Sequence, residues 1–192
     1  EELTCTTSTS LYPDPGSASV THFEFIFSLF GLLLGLSLAE VLGGAVRMLK
    51  ARERVRVGAL TPLLGLFVML NLASFWMGAW NAQQLIPVAY PALLIGLAIT
   101  SLYYVGASLT FPVVPDEWPC VDDYYFIHRR QVLGCIWLCN LLVFALSWRL
   151  RGLAPNSVAL IIDGVPTLLV LAAFVSRNRL VNLVSLAGLV AL

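Results

Sequence analysis

Glu40 stands in the run Leu38-Ala39-Glu40-Val41-Leu42, an acid set among apolar neighbours. If that run crosses a bilayer, an ionised acid at its centre costs about 2.5–3.5 kcal/mol, so the carboxyl must be protonated, hydrated or paired. Two chemistries follow. One is a proton- or cation-exchange site. The other is a structural ion pair or hydrogen bond, for which Ser37 at i−3 and Arg47 at i+7 share the helix face of Glu40.

Asp163 is the second acid in apolar surroundings, three residues before Pro166. A proline in a helix leaves the carbonyl four residues earlier, that of Ile162, without its donor. An acid beside a broken turn suits ion or substrate binding in transporters. It equally suits a helix that stops near the interface. Asn71 heads a polar stripe with Ser74, Gly78 and Asn81, at steps of three and four, which Thr100, Ser101 and Asn140 are placed to meet. Such groups form interhelical hydrogen bonds of about 0.6 kcal/mol each, or line a wet path. Glu40, Asp163 and Asn71 are therefore the candidate ion- or proton-coupling residues.

Other chemistries lack their parts. His22 and His128 fall toward opposite faces, so no paired-histidine haem site is read. Lys50, the only lysine, lies in a connection and offers no intramembrane Schiff base. Glu40 and Asp163 lie toward opposite faces and do not form an aspartyl pair, and no buried histidine accompanies a serine. No phosphate-cradling glycine loop or zinc spacing occurs. Cys135 and Cys139 are one helical turn apart, a spacing that does not readily allow a disulfide. Cys5 and Cys120 fall on opposite sides, and the thiols read as small packing groups. No catalytic residue, metal or cofactor is assigned, and enzyme is the weakest functional class.

The elements that must hold these residues are helices. Of 192 residues, 59% are hydrophobic and 11% charged, against roughly 25% charged in soluble domains. The apolar residues fall in long runs, the pattern of an all-α polytopic bundle in a bilayer. Six spans are read, over about 23–48, 60–85, 91–111, 130–149, 157–176 and 180–192, which make 22–192 one transmembrane domain. Residues 1–21 form a polar tail rich in Thr and Ser, without the basic and apolar regions of a signal peptide. The start at Glu1 and the end at Leu192 inside an apolar run suggest a processed or trimmed product. The stretch 112–129 is expected to be an interfacial loop, with Asp122 or Asp123 capping the fourth helix. Net charge is zero, and no nucleic-acid partner is expected.

Basic residues set the orientation. Arg47, Lys50, Arg52, Arg54 and Arg56, then Arg129 and Arg130, then Arg177 and Arg179 fall on one side of six spans, nine of the eleven. Arg149 and Arg151 fall on the other. The positive-inside rule places the nine in the cytoplasm and both termini outside it. Trp80, Tyr90 and Trp148 mark the outer interface, and Trp118, Tyr124 and Tyr125 the inner one.

Gly31, Gly35, Ala39 and Gly43 recur at every fourth residue of span one. Small residues in such a stripe let another backbone approach closely. It is a helix-packing face, within the bundle or toward a second copy or a larger membrane complex.

The block Phe23-Glu24-Phe25 through Leu34-Gly35-Leu36, Leu42-Gly43-Gly44 and Ala51-Arg52 to Arg54-Val55-Arg56 carries a recognisable pattern. So do Phe75-Trp76 with Trp80, and Asp123-Tyr124-Tyr125 with His128-Arg129-Arg130 and Gly134. Together they resemble a family of small bacterial six-helix multipass membrane proteins with no established activity. The resemblance implies six helices and a bacterial inner membrane, and no reaction. Two functional classes follow: an accessory or structural membrane subunit, and a proton- or ion-coupled carrier or channel using Glu40 and Asp163.

Overall fold

A computed structural model describes residues 22–82, 89–151 and 157–191, with side chains over 27–82, 89–147 and 166–191. The tail 1–21 with Cys5, and the side chains of His22, Trp148, Arg149, Arg151 and Asp163, lie outside the described residues.

Among the described residues the chain is all-helical. Helices α1 (His22–Ala51), α2 (Leu60–Asn81), α3 (Tyr90–Ser108), α4 (Val121–Arg151), α5 (Ser157–Val175) and α6 (Arg179–Ala191) follow in order, with one 3-10 turn at Pro115–Glu117. Four stretches are long and apolar enough to cross a membrane: Phe27–Ala51, Leu60–Asn81, Tyr90–Ser108 and Val121–Ser147. At 1.5 Å per residue they span about 28–40 Å, against about 30 Å of hydrocarbon. The described apolar parts of α5 and α6, Pro166–Val175 and Arg179–Ala191, are shorter.

Helix α2 is central, touching α1, α3, α4 and α6; α1 also packs on α3, α3 on α4, α4 on α5, and α5 on α6. The inward stripe of α1 is Leu34, Ser37, Val41, Gly44, Met48 and Ala51, at steps of three and four. Its outward face carries Leu32, Leu36, Leu42 and Leu49, and that of α2 carries Leu66, Leu70 and Met77. An exterior as apolar as the interior is suited to lipid rather than water.

Close approach depends on particular glycines. Phe111, from the segment after α3, wedges between α1 and α2: a Cβ on Gly44 would come within 2.6 Å of its ring, and one on Gly65 within 2.5 Å. A Cβ on Gly96 of α3 would overlap the Phe30 ring of α1. The expected stripe on α1 is used only at its start, where a Cβ on Gly31 would come within 2.6 Å of Trp76. Gly35 and Ala39 are exposed, with nothing within 4 Å of a Cβ at Gly35, and the nearest group to Gly43 is its own helix's Arg47. Burial on α1 follows the adjacent stripe, where Gly44 admits the Phe111 ring.

The fourth helix starts nine residues before its expected position. Only 109–120 are non-helical apart from the 3-10 turn, and Asp122 and Asp123 lie in the first turn of α4. Carboxylates are favoured there by the partial positive charge of the helix start, which outweighs the loop signal of the prolines upstream.

Candidate functional site

The connections α1–α2, α3–α4 and α5–α6 meet at one end of the bundle. The Val121 amide donates to the Arg56 carbonyl at 3.2 Å, and Thr61 Oγ1 to the Val121 carbonyl at 3.1 Å. Arg179 in the first turn of α6 donates to Asp122 Oδ2 at 2.9 Å, and Arg54 lies 3.9 Å from Asp116. The basic groups of the three connections are thereby gathered on one side.

Inside that end lies a buried arginine. On α4 the steps Val121, Tyr125, Arg129, Val132, Ile136 and Cys139 form the inward face, so Arg129 points into the bundle and is only 2% exposed. Its Nη1 donates to the Ala173 carbonyl and to Asn182 Oδ1, each at 2.9 Å, and to the Ser176 carbonyl. Tyr125 Oη donates to the same Asn182 Oδ1 at 2.7 Å. Asn182 Nδ2 in turn donates to the Ser176 and Asn178 carbonyls at 2.9 Å. The guanidinium also lies 5.4 Å from the Phe126 ring centroid.

The acceptors of Arg129 are carbonyl oxygens, two of them at the end of α5, where four carbonyls lack helical partners and a cation is favoured. Arg129 therefore ties α4 to the end of α5 and, through Asn182, to α6. An ion pair, Arg179–Asp122, seals the outer edge. Asp122 is 4% exposed and packs so tightly on the α1–α2 connection that a Cβ on Gly58 would overlap its carboxylate. Its partner Arg179 opens α6, a position disfavoured for a cation, and the acid offsets that cost. Tyr124 donates to the Leu109 carbonyl at 3.1 Å and stacks on His128 at 4.1 Å, with Trp118 edge-on at 5.4 Å. These bonds run between helices and their connections, the chemistry of an interhelical clamp.

The residues singled out from sequence do not converge. Glu40 Oε1 lies 3.3 Å from Arg47 Nη2 on the outer side of α1, both side chains more than a third exposed. Asn71 faces inward, and Tyr103 of α3 donates to its Oδ1 at 2.8 Å. The rest of the α2 stripe, Ser74, Gly78 and Asn81, is exposed, as are Ser101 and Asn140. Ser37 and Thr100 are buried and donate to carbonyls of their own helices, Leu33 at 2.8 Å and Gly96 at 2.9 Å. Cys139 Sγ lies 3.5 Å from the Ile99 carbonyl at the α3–α4 contact. Asp163 belongs to α5, with Pro166 inside the helix.

Tyr125, expected as an interfacial anchor, is 1% exposed and belongs to the clamp; Tyr124 is buried beside it. Sequence reading did not single out Arg129 and Asn182 as members of the clamp. Arg129 sits in phase with the apolar face of α4, four residues after Tyr125, and that register is the signal that identifies it.

Comparison with protein-family models, curated proteins and solved structures returns no match. What fold and site define together is a class: an all-helical bundle with four helices suited to crossing a membrane, clamped at one end by buried charge. The resemblance to small bacterial multipass proteins stands on its residue blocks alone.

Proposed function

We propose that the chain is an integral membrane protein acting as a structural or accessory subunit, which packs with other membrane helices along the outer face of α1. The carrying observation is the contrast among glycines. Gly44, Gly65 and Gly96 are each met by a phenylalanine of this chain, while Gly35 meets nothing and Ala39 beside it is exposed. A strip of small residues on an otherwise leucine-rich exterior suits close approach of another helix. A second copy and a different membrane protein both satisfy that geometry.

The gathered basic groups support an orientation with this end in the cytoplasm and both termini outside it, in a bacterial inner membrane as the resemblance implies. A carrier or channel using Glu40, Asp163 and Asn71 is the alternative. It is less well supported, because Glu40 faces outward beside Arg47 while Asn71 faces inward and is bound by Tyr103.

The test is Gly35→Leu in mild detergent and in bilayers. The monomer's thermal unfolding is expected to stay within about 0.5 kcal/mol of the parent, as for surface positions. Cross-linking between cysteines placed at Ala39 should fall several-fold, or co-purification with the partner should be lost. Unchanged association would remove the α1 face as the packing surface.

A further inference from the structure

Between α4 and α5 the bundle carries a groove of about 120 Å³, lined by Gly134, Trp137, Val170, Leu171 and Phe174 and open to the exterior. Its lining is wholly apolar. Gly134 leaves room on its wall, since a Cβ there would meet only Phe174, at 3.9 Å. One helical turn from the groove stand two arginines. Arg130 precedes Gly134 by four residues, and its guanidinium lies 5.8 Å from the centroid of the Phe174 ring. Arg177 follows Phe174 by three residues and is exposed. Both act electrostatically on the buried Arg129, so three like charges crowd this corner. The ion pairs among the described residues are Arg47–Glu40, Arg54–Asp116 and Arg179–Asp122, and neither Arg130 nor Arg177 takes part in one.

We propose that this corner binds an anionic phospholipid, with its phosphate between Arg130 and Arg177 and one acyl chain in the groove. Guanidinium forks match phosphate oxygens, and basic pockets between membrane helices select anionic headgroups. The shape favours a chain over a protein segment, because a helix with side chains is about 10–12 Å across and too broad for a slot between two packed helices. The inference rests on the membrane placement proposed above and is independent of association through α1.

Trp137 in the groove wall supplies the probe. The full chain in detergent micelles is titrated with phosphatidylglycerol, or with phosphatidylcholine, brominated on its acyl chains. The difference in fluorescence quenching between the parent and Trp137→Phe isolates the Trp137 signal. Half-quenching is expected at a lower mole fraction of phosphatidylglycerol than of phosphatidylcholine. That preference should fall about fivefold for each arginine lost in Arg130→Gln and Arg177→Gln. Both arginines are exposed; helicity and an unchanged thermal unfolding midpoint report that the variants remain folded, and quenching of the other tryptophans that they remain lipid-bound. Equal quenching by the two lipids, or a preference that survives the double substitution, overturns the proposal and leaves the membrane placement intact. Quenching of the other tryptophans without Trp137 does the same. No quenching of any tryptophan removes the membrane placement as well.

Discussion

Replacing Arg129 with Met removes a buried charge while roughly preserving side-chain length. Three acceptors lose a donor, but two keep another. The Ser176 carbonyl retains Asn182 Nδ2, and Asn182 Oδ1 retains the Tyr125 hydroxyl. Only the Ala173 carbonyl loses the one side-chain donor it has here. An orphaned buried carbonyl costs about 1–3 kcal/mol, and a cation lost from a helix C-terminus up to about 2 kcal/mol in partly buried geometry. Relief of the guanidinium's own desolvation works the other way. The net expectation is a loss of about 2–4 kcal/mol. Arg129→Lys should recover part of it, because an ammonium keeps the charge at the α5 terminus without the planar fork. Asn182→Leu strips the Tyr125 hydroxyl of its acceptor and should cost about 1–3 kcal/mol. Because Arg129 donates to Asn182 and shares the Ser176 carbonyl with it, the double variant should be non-additive by about 0.5 kcal/mol or more. The assay is reversible unfolding in mixed micelles, followed by helicity. An Arg129→Met protein within about 0.5 kcal/mol of the parent, or strict additivity with Asn182→Leu, would refute the clamp.

Gly58→Ala places a methyl group where the Asp122 carboxylate lies, so the α1–α2 connection must shift, at about 1–3 kcal/mol. Unfolding of Gly58→Ala checks this, and a wild-type midpoint would show that the connection does not bear on Asp122. Glu40→Gln leaves Arg47 four residues from the end of α1, where a long side chain can reach the interface. The half-exposed pair should therefore contribute about 1 kcal/mol or less to stability. Proteoliposomes test the alternative role: pH-driven flux in the parent that disappears in Glu40→Gln would establish Glu40 as a coupling site and overturn the structural reading.

The helices were legible because their apolar runs are long, and Leu60–Asn81 and Ser157–Val175 start just after the glycine or proline punctuation of Gly58 and Pro155. The start of α4 was not, because Pro112, Pro115 and Pro119 signal a loop while the acids after them suit either a loop or a first helical turn. The side groups were read less well for a related reason. A polar residue in an apolar run draws notice, so Glu40 and Asn71 stood out. Arg129 stands at the end of a run among other charges, where it reads as an orientation signal. Only the phase of α4, with Tyr125, Val132 and Ile136 on the same face, separates it from Arg130. Glycines posed the opposite difficulty. The regular spacing of Gly31, Gly35, Ala39 and Gly43 marked a packing face within the bundle or toward another chain, whereas the close internal contacts at Gly44 and Gly65 are made with Phe111, a residue distant from both in sequence.

Burial of Arg129 does not weaken its part in the proposed orientation. Membrane helices insert first and pack afterward, so a charge resists translocation during insertion whatever environment it meets later. In that orientation Arg129 adds to the basic side at insertion. After packing, the same guanidinium reaches carbonyls at the end of α5, which lie at the same level because α4 begins and α5 ends on that side. A clamp built on a lone arginine therefore belongs at the basic end of such a bundle. Placed at the other end, the same group would have to cross the bilayer before its acceptors were assembled. Arg130, one residue on and out of phase with the interior, keeps its charge outside the bundle, where a phosphate can reach it.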